Sequence, residues 1–271
     1  MTPTSFVIKH RTAYTYSQPV FLEPHLLYFY PLPRPYFSTT SFEICLDPRA
    51  SGLGHRLDAE NNIFYQAWFS ERLSTLVVEV EMKIQSQAFN PFNFLLTSGP
   101  SNSSLRPYQD KKEELRSEPI QWLESLREQF EDDLTFLTAL IDHIQSNWDH
   151  INREEPGILT ANECFKKKRA SCRDLAWMTI VFLRHLGFPS RFVSGYSHNP
   201  DLGEGHELHA WVEVWVGGGW IGIDPSAGIL TTHYYIPVAA SHEPQWTLPV
   251  QGNFRGSADS TIETKVSIIE Q

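Results

Sequence analysis

The sequence predicts an α+β protein with a β-rich front module followed by helices packed on an antiparallel sheet, and three patterns carry that prediction. Two-residue alternation dominates the front of the 271-residue chain. Apolar residues then recur at three- and four-residue steps through Leu134, Leu137, Leu140, Ile141, Ile144 and Trp148. Alternation returns around Gly217-Gly218, after a second helical stretch. Helices first and a meandering sheet afterwards define the α+β arrangement of this half.

In the front module the strand candidates are Phe6–Tyr16, Phe42–Leu46 and Leu76–Ile84. In the last, Leu76, Val78, Val80, Met82 and Ile84 share one face and Glu79, Glu81 and Lys83 the other, the pattern of a half-buried antiparallel strand. Asp47-Pro48, Ser51-Gly52 and Glu60-Asn-Asn62 supply the turns. Tyr28-Phe-Tyr30 reads as core. From about Pro91 to Glu118 apolar periodicity lapses into Ser, Asn, Gly, Pro, Lys and Glu. The expected organisation is therefore a β-rich domain over 1–95, a linker and first helix over 96–128, and a core over 129–271 that includes a C-terminal strand at Thr261–Ile269.

Glu131-Asp-Asp133 places negative charge at the start of the helix that follows the linker, where the macrodipole favours it. The second helix runs from about Ser171 to Leu186 and stops at Gly187 and Pro189. Strands are expected at Arg191–Tyr196, His209–Val216 and Gly219–Ile223, the last two joined by the diglycine hairpin.

Hydrophobic residues make up 41% of the chain and charged residues 20%, which excludes disorder as the overall state. The formal net charge of −10 provides no basic field for nucleic acid or anionic lipid. Three cysteines, Cys45, Cys164 and Cys172, cannot all pair internally and form no CxxC motif, so a reducing compartment is expected. No apolar run reaches the length of a membrane span, and the first residues show neither the basic nor the apolar region of a secretion signal, so the expectation is a cytoplasmic protein. No GxGxxG, GxxxxGK[ST] or GxSxG motif occurs; no cofactor is implied, and a serine nucleophile lacks its elbow. His206-Glu-Leu-His209 is one residue short of the zinc-binding HExxH and alternates like a strand, so no metal is expected there.

Ala170-Ser-Cys-Arg-Asp174 is the stretch that carries chemistry. Ser171 and Asp174 have the spacing of a capping box, which puts Cys172 at the first helical position, where free N–H groups and the dipole favour a thiolate. A nucleophilic thiol needs a base and a group that orients the base. His209 opens one strand and Asp224 ends the next, at the same end of the hairpin; a bulge in the glycine turn would bring them opposite. Taken singly, each cysteine also has the reading of a structural thiol, and Cys45 and Cys164 receive it. The basic run Lys166–Arg169 reads as a solvated helix face.

Three ordered blocks complete this picture: Ser171-Cys-Arg-Asp-Leu-Ala-Trp-Met continuing to Phe182–Tyr196, then His209-Ala-Trp-Val-Glu-Val-Trp-Val, then Trp220-Ile-Gly-Ile-Asp-Pro-Ser226. They resemble the core of the transglutaminase-like family within the papain-type cysteine superfamily. Phe6–Val20 and the Pro-rich Tyr30–Pro35 are similar to the β-rich N-terminal sandwich of its bacterial two-domain members. The resemblance implies that Cys172 attacks a peptide or carboxamide carbonyl, that His209 shuttles the proton and that Asp224 orients His209. It also implies that the Cys172 N–H helps hold the oxyanion.

Ser171 stands where the family often has glycine. Ser171, Tyr196, His206 and Trp211 are the expected neighbours on the substrate side, with Tyr196 and Trp211 as core or cleft wall and His206 on a mobile lid. The expectation is a thiol-dependent hydrolase of peptide or protein substrates working through a thioester. A glutamine-directed transglutaminase or deamidase uses the same thioester, and an inert binding module is the reading from outside catalysis.

Overall fold

The computed structural model describes residues 3–94, 103–153, 155–198 and 208–271. The front module is a sandwich of two antiparallel sheets. One runs β3 (Phe37–Asp47), β6 (Arg72–Ser86), β1 (Thr4–Leu22), with β15 (Phe254–Arg255) and β16 (Ser260–Glu270) along the far side of β1. The other is ordered β4 (Gly52–Leu57), β5 (Ile63–Trp68), β2 (His25–Leu27), β14 (Val250–Gln251). The alternation foreseen in β6 is observed: Leu76, Val78, Val80, Met82 and Ile84 are buried against Phe6, Ile8, Leu27, Phe29 and Ala67. Tyr28 and Phe29 are core as expected.

The last strand departs from the expected organisation. β16 pairs with β1 over eleven residues, from Phe6↔Glu270 to Tyr16↔Ser260, so the end of the chain completes the front sheet and not the core. The cause is the length of β1: β6 covers one edge of it, and the other edge presents a row of N–H and C=O groups that a returning strand satisfies.

In the second half, α1 (Ser117–Arg127), α2 (Asp133–Asn147), α3 (Ala161–Lys167) and α4 (Cys172–His185) lie against one sheet. The short parallel pair β7 (Asp149–His150) and β8 (Arg169–Ala170) leads into α4. The sheet is ordered β12 (Ile229–Leu230), β11 (Gly219–Asp224), β10 (Leu208–Val216), β9 (Ser190–Ser197), β13 (Tyr235–Ser241). In α2, Asp132 caps the N-terminus by accepting from the Thr135 N–H at 2.8 Å, and Phe136, Leu137, Leu140, Ile141 and Ile144 form the buried stripe. α4 is buried over most of its circumference, from Leu175 to Arg184, which makes it the axis of this half.

The two halves share their interior. Tyr196, Ile236 and Val238 of β9 and β13 pack into the sandwich core with Phe6 and Ile8. Leu32 of the Pro-rich stretch packs beneath Trp211 and Tyr235, and its N–H donates to Pro237 O at 2.7 Å. Across the same boundary Glu213 on β10 binds Arg34 of the front module and Arg191 of β9, the latter at 2.6 Å. All three are largely buried. Burial opposes the charge on Glu213, but the two guanidiniums outweigh it and hold the carboxyl down at about 2.

Replacing Glu213 strands two cations, so Glu213→Leu is expected to lower stability by about 3–5 kcal/mol, whereas Glu81→Gln, at the exposed Lys9–Glu81 pair, changes it by less than about 1 kcal/mol. Urea unfolding at neutral pH checks both. The sign with pH follows from the lowered carboxyl: its contribution is fully present above the ordinary glutamate range and is lost as pH falls toward about 2. The Glu213→Leu protein is therefore expected to show a shallower acid limb than the parent.

Candidate active site

Cys172 is the first residue of α4, as the capping-box spacing predicts. Asp174 accepts from the Ser171 N–H at 3.0 Å and from its hydroxyl at 2.6 Å. The same buried carboxylate takes Arg153 Nε at 2.9 Å, Arg153 Nη2 at 3.1 Å and the Leu159 N–H at 2.8 Å. These donors overcome the burial penalty and lower its pKa, so Asp174 is an ionised clamp fixing the segment after β7 over the helix start. Ser171 is buried with φ of −83°, an extended conformation that any L-residue adopts, so serine is unstrained where the family often has glycine.

His209 and Asp224 meet as the hairpin predicts, though by a different route. Gly217 and Gly218 both have positive φ, and pairing runs unbroken from Val216↔Gly219 to Val212↔Ile223. No bulge adjusts the register, so the expected correction is absent. The ladder stops short of His209 and Asp224, and the side chains close the gap: His209 Nε2 lies 2.7 Å from Asp224 Oδ2. That leaves Nδ1 as the ring nitrogen free for sulfur, and His209 interacts with the Cys172 thiol in a way that favours its thiolate. Tyr235 donates to Asp224 Oδ2 at 2.8 Å, and Ser226 donates to Oδ1 through its N–H at 2.9 Å and its hydroxyl at 2.6 Å.

The electrostatics follow from these contacts. Burial raises the Asp224 pKa, but the charge and hydrogen bond of His209, with Ser226 and Tyr235, pull it down to about 2. Burial disfavours the His209 cation, yet Asp224 and Cys172 together raise its pKa well above the ordinary histidine value. Burial also works against the Cys172 thiolate; hydrogen bonds from His150, His209 and the Ala210 backbone reverse it and lower the thiol to about 6. Cys164, enclosed by apolar neighbours, is pushed up to about 12, and Cys45 is exposed on β3. The three cysteines thus occupy three different environments, of which one stabilises an anion.

The expected neighbours separate. Trp211 is buried with its ring 6.2 Å from that of His209, and it lies so close over Gly195 that a Cβ there would fall 2.6 Å from the ring. It forms the floor under the histidine. Tyr196 is fully buried at the boundary with the front module, its hydroxyl 3.1 Å from His10 Nδ1, so it is a wall between the halves and not a substrate surface. Ser171 faces inward to Asp174. His206 lies outside the described residues.

Two residues at the site were not singled out from sequence. Tyr235 stands eleven positions beyond Asp224 on a strand with no clear alternation. His150 ends a two-residue strand after α2 and reaches Cys172 only through the β7–β8 pairing. Among the described residues, no group of three or more His, Cys, Asp or Glu side chains is arranged to hold a metal ion, and no helix is long and apolar enough to cross a membrane.

A helix carrying a thiol at its N-terminus, packed on an antiparallel sheet that presents histidine and aspartate, defines a papain-type core. Two family models match the chain: residues 120–225 match the transglutaminase-like superfamily, and residues 6–85 match the bacterial transglutaminase-like N-terminal region. A crystal structure of a "Putative Cysteine Protease" from Cytophaga hutchinsonii superposes with a TM-score of 0.79, covering 100% of this chain and 91% of that one at 17% identity, which establishes the shared fold. An uncharacterized protein of Mycobacterium leprae is 33% identical over 105 residues, 37% of each chain. One of Mycobacterium tuberculosis is 28% identical over 120 residues, 40% of this chain and 38% of its own length. The matches thus span less than two fifths of the length of these relatives.

Alkylation by iodoacetamide is expected to select Cys172 over Cys45 and Cys164, with a rate that rises through a midpoint at about pH 6. Asp224→Asn removes the charge that favours the His209 cation, so the imidazolium–thiolate pair loses ground and the Cys172 midpoint is expected to move to higher pH. Peptide mass mapping across a pH series reads both, and an unmoved midpoint contradicts the coupling.

Proposed function

We propose that the protein is a thiol-dependent acyl-transfer enzyme that hydrolyses peptide or amide bonds through a thioester on Cys172. The observation that carries this reading is the succession of three groups: the Cys172 thiol at the helix terminus, His209 interacting with it, and Asp224 2.7 Å from His209 Nε2. In this reading the sulfur attacks the carbonyl carbon, His209 gives its proton to the departing amine, and Asp224 holds the ring in the required orientation. A water molecule deprotonated by His209 then attacks the thioester and releases the acid.

The two family matches support a shared fold and site layout, and the Cytophaga neighbour, by its description, supports a protease in particular. Water is favoured as the acceptor because Cys172 is only half-buried and the adjoining His150 is exposed, so solvent reaches the thioester. The substrate class is a peptide or protein carbonyl. A transamidase needs a pocket that holds an amine against water.

The test is mass spectrometry of a mixture of glutamine-containing peptides incubated with the protein or its Cys172→Ala variant, with and without a primary amine. Cleavage that depends on Cys172 is the expected result. Conversion of Gln to Glu, or amine adducts, without cleavage would replace hydrolysis of the chain by deamidation or transamidation. A Cys172 that is neither acylated nor selectively alkylated would overturn the enzyme reading altogether.

A further inference from the structure

The Cys172 sulfur has two histidines beside it, and the reading above uses one. His209 approaches from the sheet and is mostly enclosed; His150 approaches from the opposite element, the β7 strand, and is exposed to solvent. Backbone pairing sets its position: His150 stands opposite Ala170, two residues before the thiol. The Asp149 N–H donates to Lys168 O at 2.8 Å and the Ile151 N–H to Ala170 O at 3.0 Å.

The flanks are fixed as well. Trp148, two residues before, is buried and donates from Nε1 to Cys164 O at 3.1 Å. Arg153, three residues after, is held on Asp174 inside the first turn of α4. A two-residue strand held at both ends against the start of the catalytic helix is a rigid support for one side chain, which the register sets beside the segment leading into Cys172 and which favours the thiolate.

We propose that His150 is a second catalytic histidine, which donates a hydrogen bond to the acyl oxygen during thioester formation, together with the Cys172 N–H. This role rests on the acyl-transfer reading. In the step, the thiolate sulfur bonds to the acyl carbon and the carbonyl π pair moves onto oxygen. Negative charge therefore leaves the sulfur and appears one bond away, within reach of a donor that had been facing the sulfur from the open side. The Cys172 N–H, at the first helical position, has no intrahelical acceptor and is free to be the second donor. Collapse restores the carbonyl and breaks the carbon–nitrogen bond, and the amine leaves with the proton carried by His209. His150 gives up no proton; it must only present an N–H, so an amide side chain of similar reach can replace it in part.

Two reagents separate this role from simple support of the thiolate. Iodoacetamide alkylates sulfur without forming an oxyanion, whereas p-nitrophenyl acetate acylates it through one. Rates of both reactions at Cys172 are measured by intact mass on the alkaline plateau of each variant, where the thiol is fully ionised. His150→Phe is expected to slow acetylation about a hundredfold, the usual effect of losing one oxyanion donor, while alkylation changes less than about threefold and His150→Gln recovers part of the acetylation rate. Equal loss in both reactions, or no loss in either, overturns the proposal, the first because His150 then only supports the thiol or the local fold. A parent Cys172 inert to both reagents overturns the thioester reading itself, and His150's role with it, a result distinct from the other two.

Discussion

Burying the Asp224 carboxylate next to His209 is the constraint that the rest of the molecule accommodates. An ionised carboxylate with 1% side-chain exposure is strongly disfavoured unless its lone pairs are filled. Here Oδ2 takes His209 and Tyr235, and Oδ1 takes Ser226 and the Ala227 N–H. Tyr235 in turn is fixed from the front module: Leu32 packs against it, and the Tyr36 hydroxyl donates to its carbonyl at 2.9 Å. The sandwich therefore forms part of the footing of the site, linked to Asp224 through a single tyrosine. The same boundary carries the Arg34–Glu213–Arg191 triad, two positions beyond Trp211 on the His209 face of β10.

The helix terminus solves a second electrostatic problem. A carboxylate in the first turn of a helix satisfies the terminus but places negative charge near a thiol that is to become an anion. Asp174 is both ionised and fully engaged, with Arg153 supplying a compensating cation and two backbone N–H groups the remaining bonds. Its charge is thereby absorbed locally, and the thiol is left to the positive end of the dipole and to its histidines. Cys164 is the internal control. It lies in the same hydrophobic cluster as α4 without such donors, and burial, reinforced by the nearby Asp174 and Glu113 charges, sends its titration the opposite way.

What the sequence revealed and what it withheld divide along the same physical line. α2, α4, β6 and the β10–β11 hairpin declare themselves because their periodicity and punctuation are local. The Cys172, His209 and Asp224 blocks are readable for a similar reason: each lies at an element boundary marked by a cap, a turn or the end of an alternating run. β13 carries seven buried residues in a row, with no alternation to expose it, because it is enclosed by the sandwich on one side and the core on the other. β16 was legible as a strand but not as a strand of the front sheet, since its partner lies some 250 positions away. His150 and Tyr235 were missed for the same cause. Nothing near them in sequence distinguishes them, and only tertiary pairing brings them to the sulfur and the carboxylate.

This distribution of buried charge bears on whether the site is used. Replacing a buried ion pair by well-packed apolar side chains is commonly neutral or stabilising, by about 1–4 kcal/mol. A fold that had only to hold its halves together could fill the space around Asp224 with aliphatic residues, as it does at Leu32, Val193 and Ala240 a few side chains away. It instead maintains a carboxylate hydrogen-bonded to an imidazole that interacts with an ionisable thiol, with a tyrosine from β13 and a serine from the following turn committed to the carboxylate. Those groups restrain one another's protonation: Asp224 favours the His209 cation, and His150 and His209 together favour the Cys172 thiolate. Such coupling contributes little to holding the fold and a great deal to keeping a sulfur nucleophilic near neutral pH, which is why the arrangement favours chemistry over scaffolding.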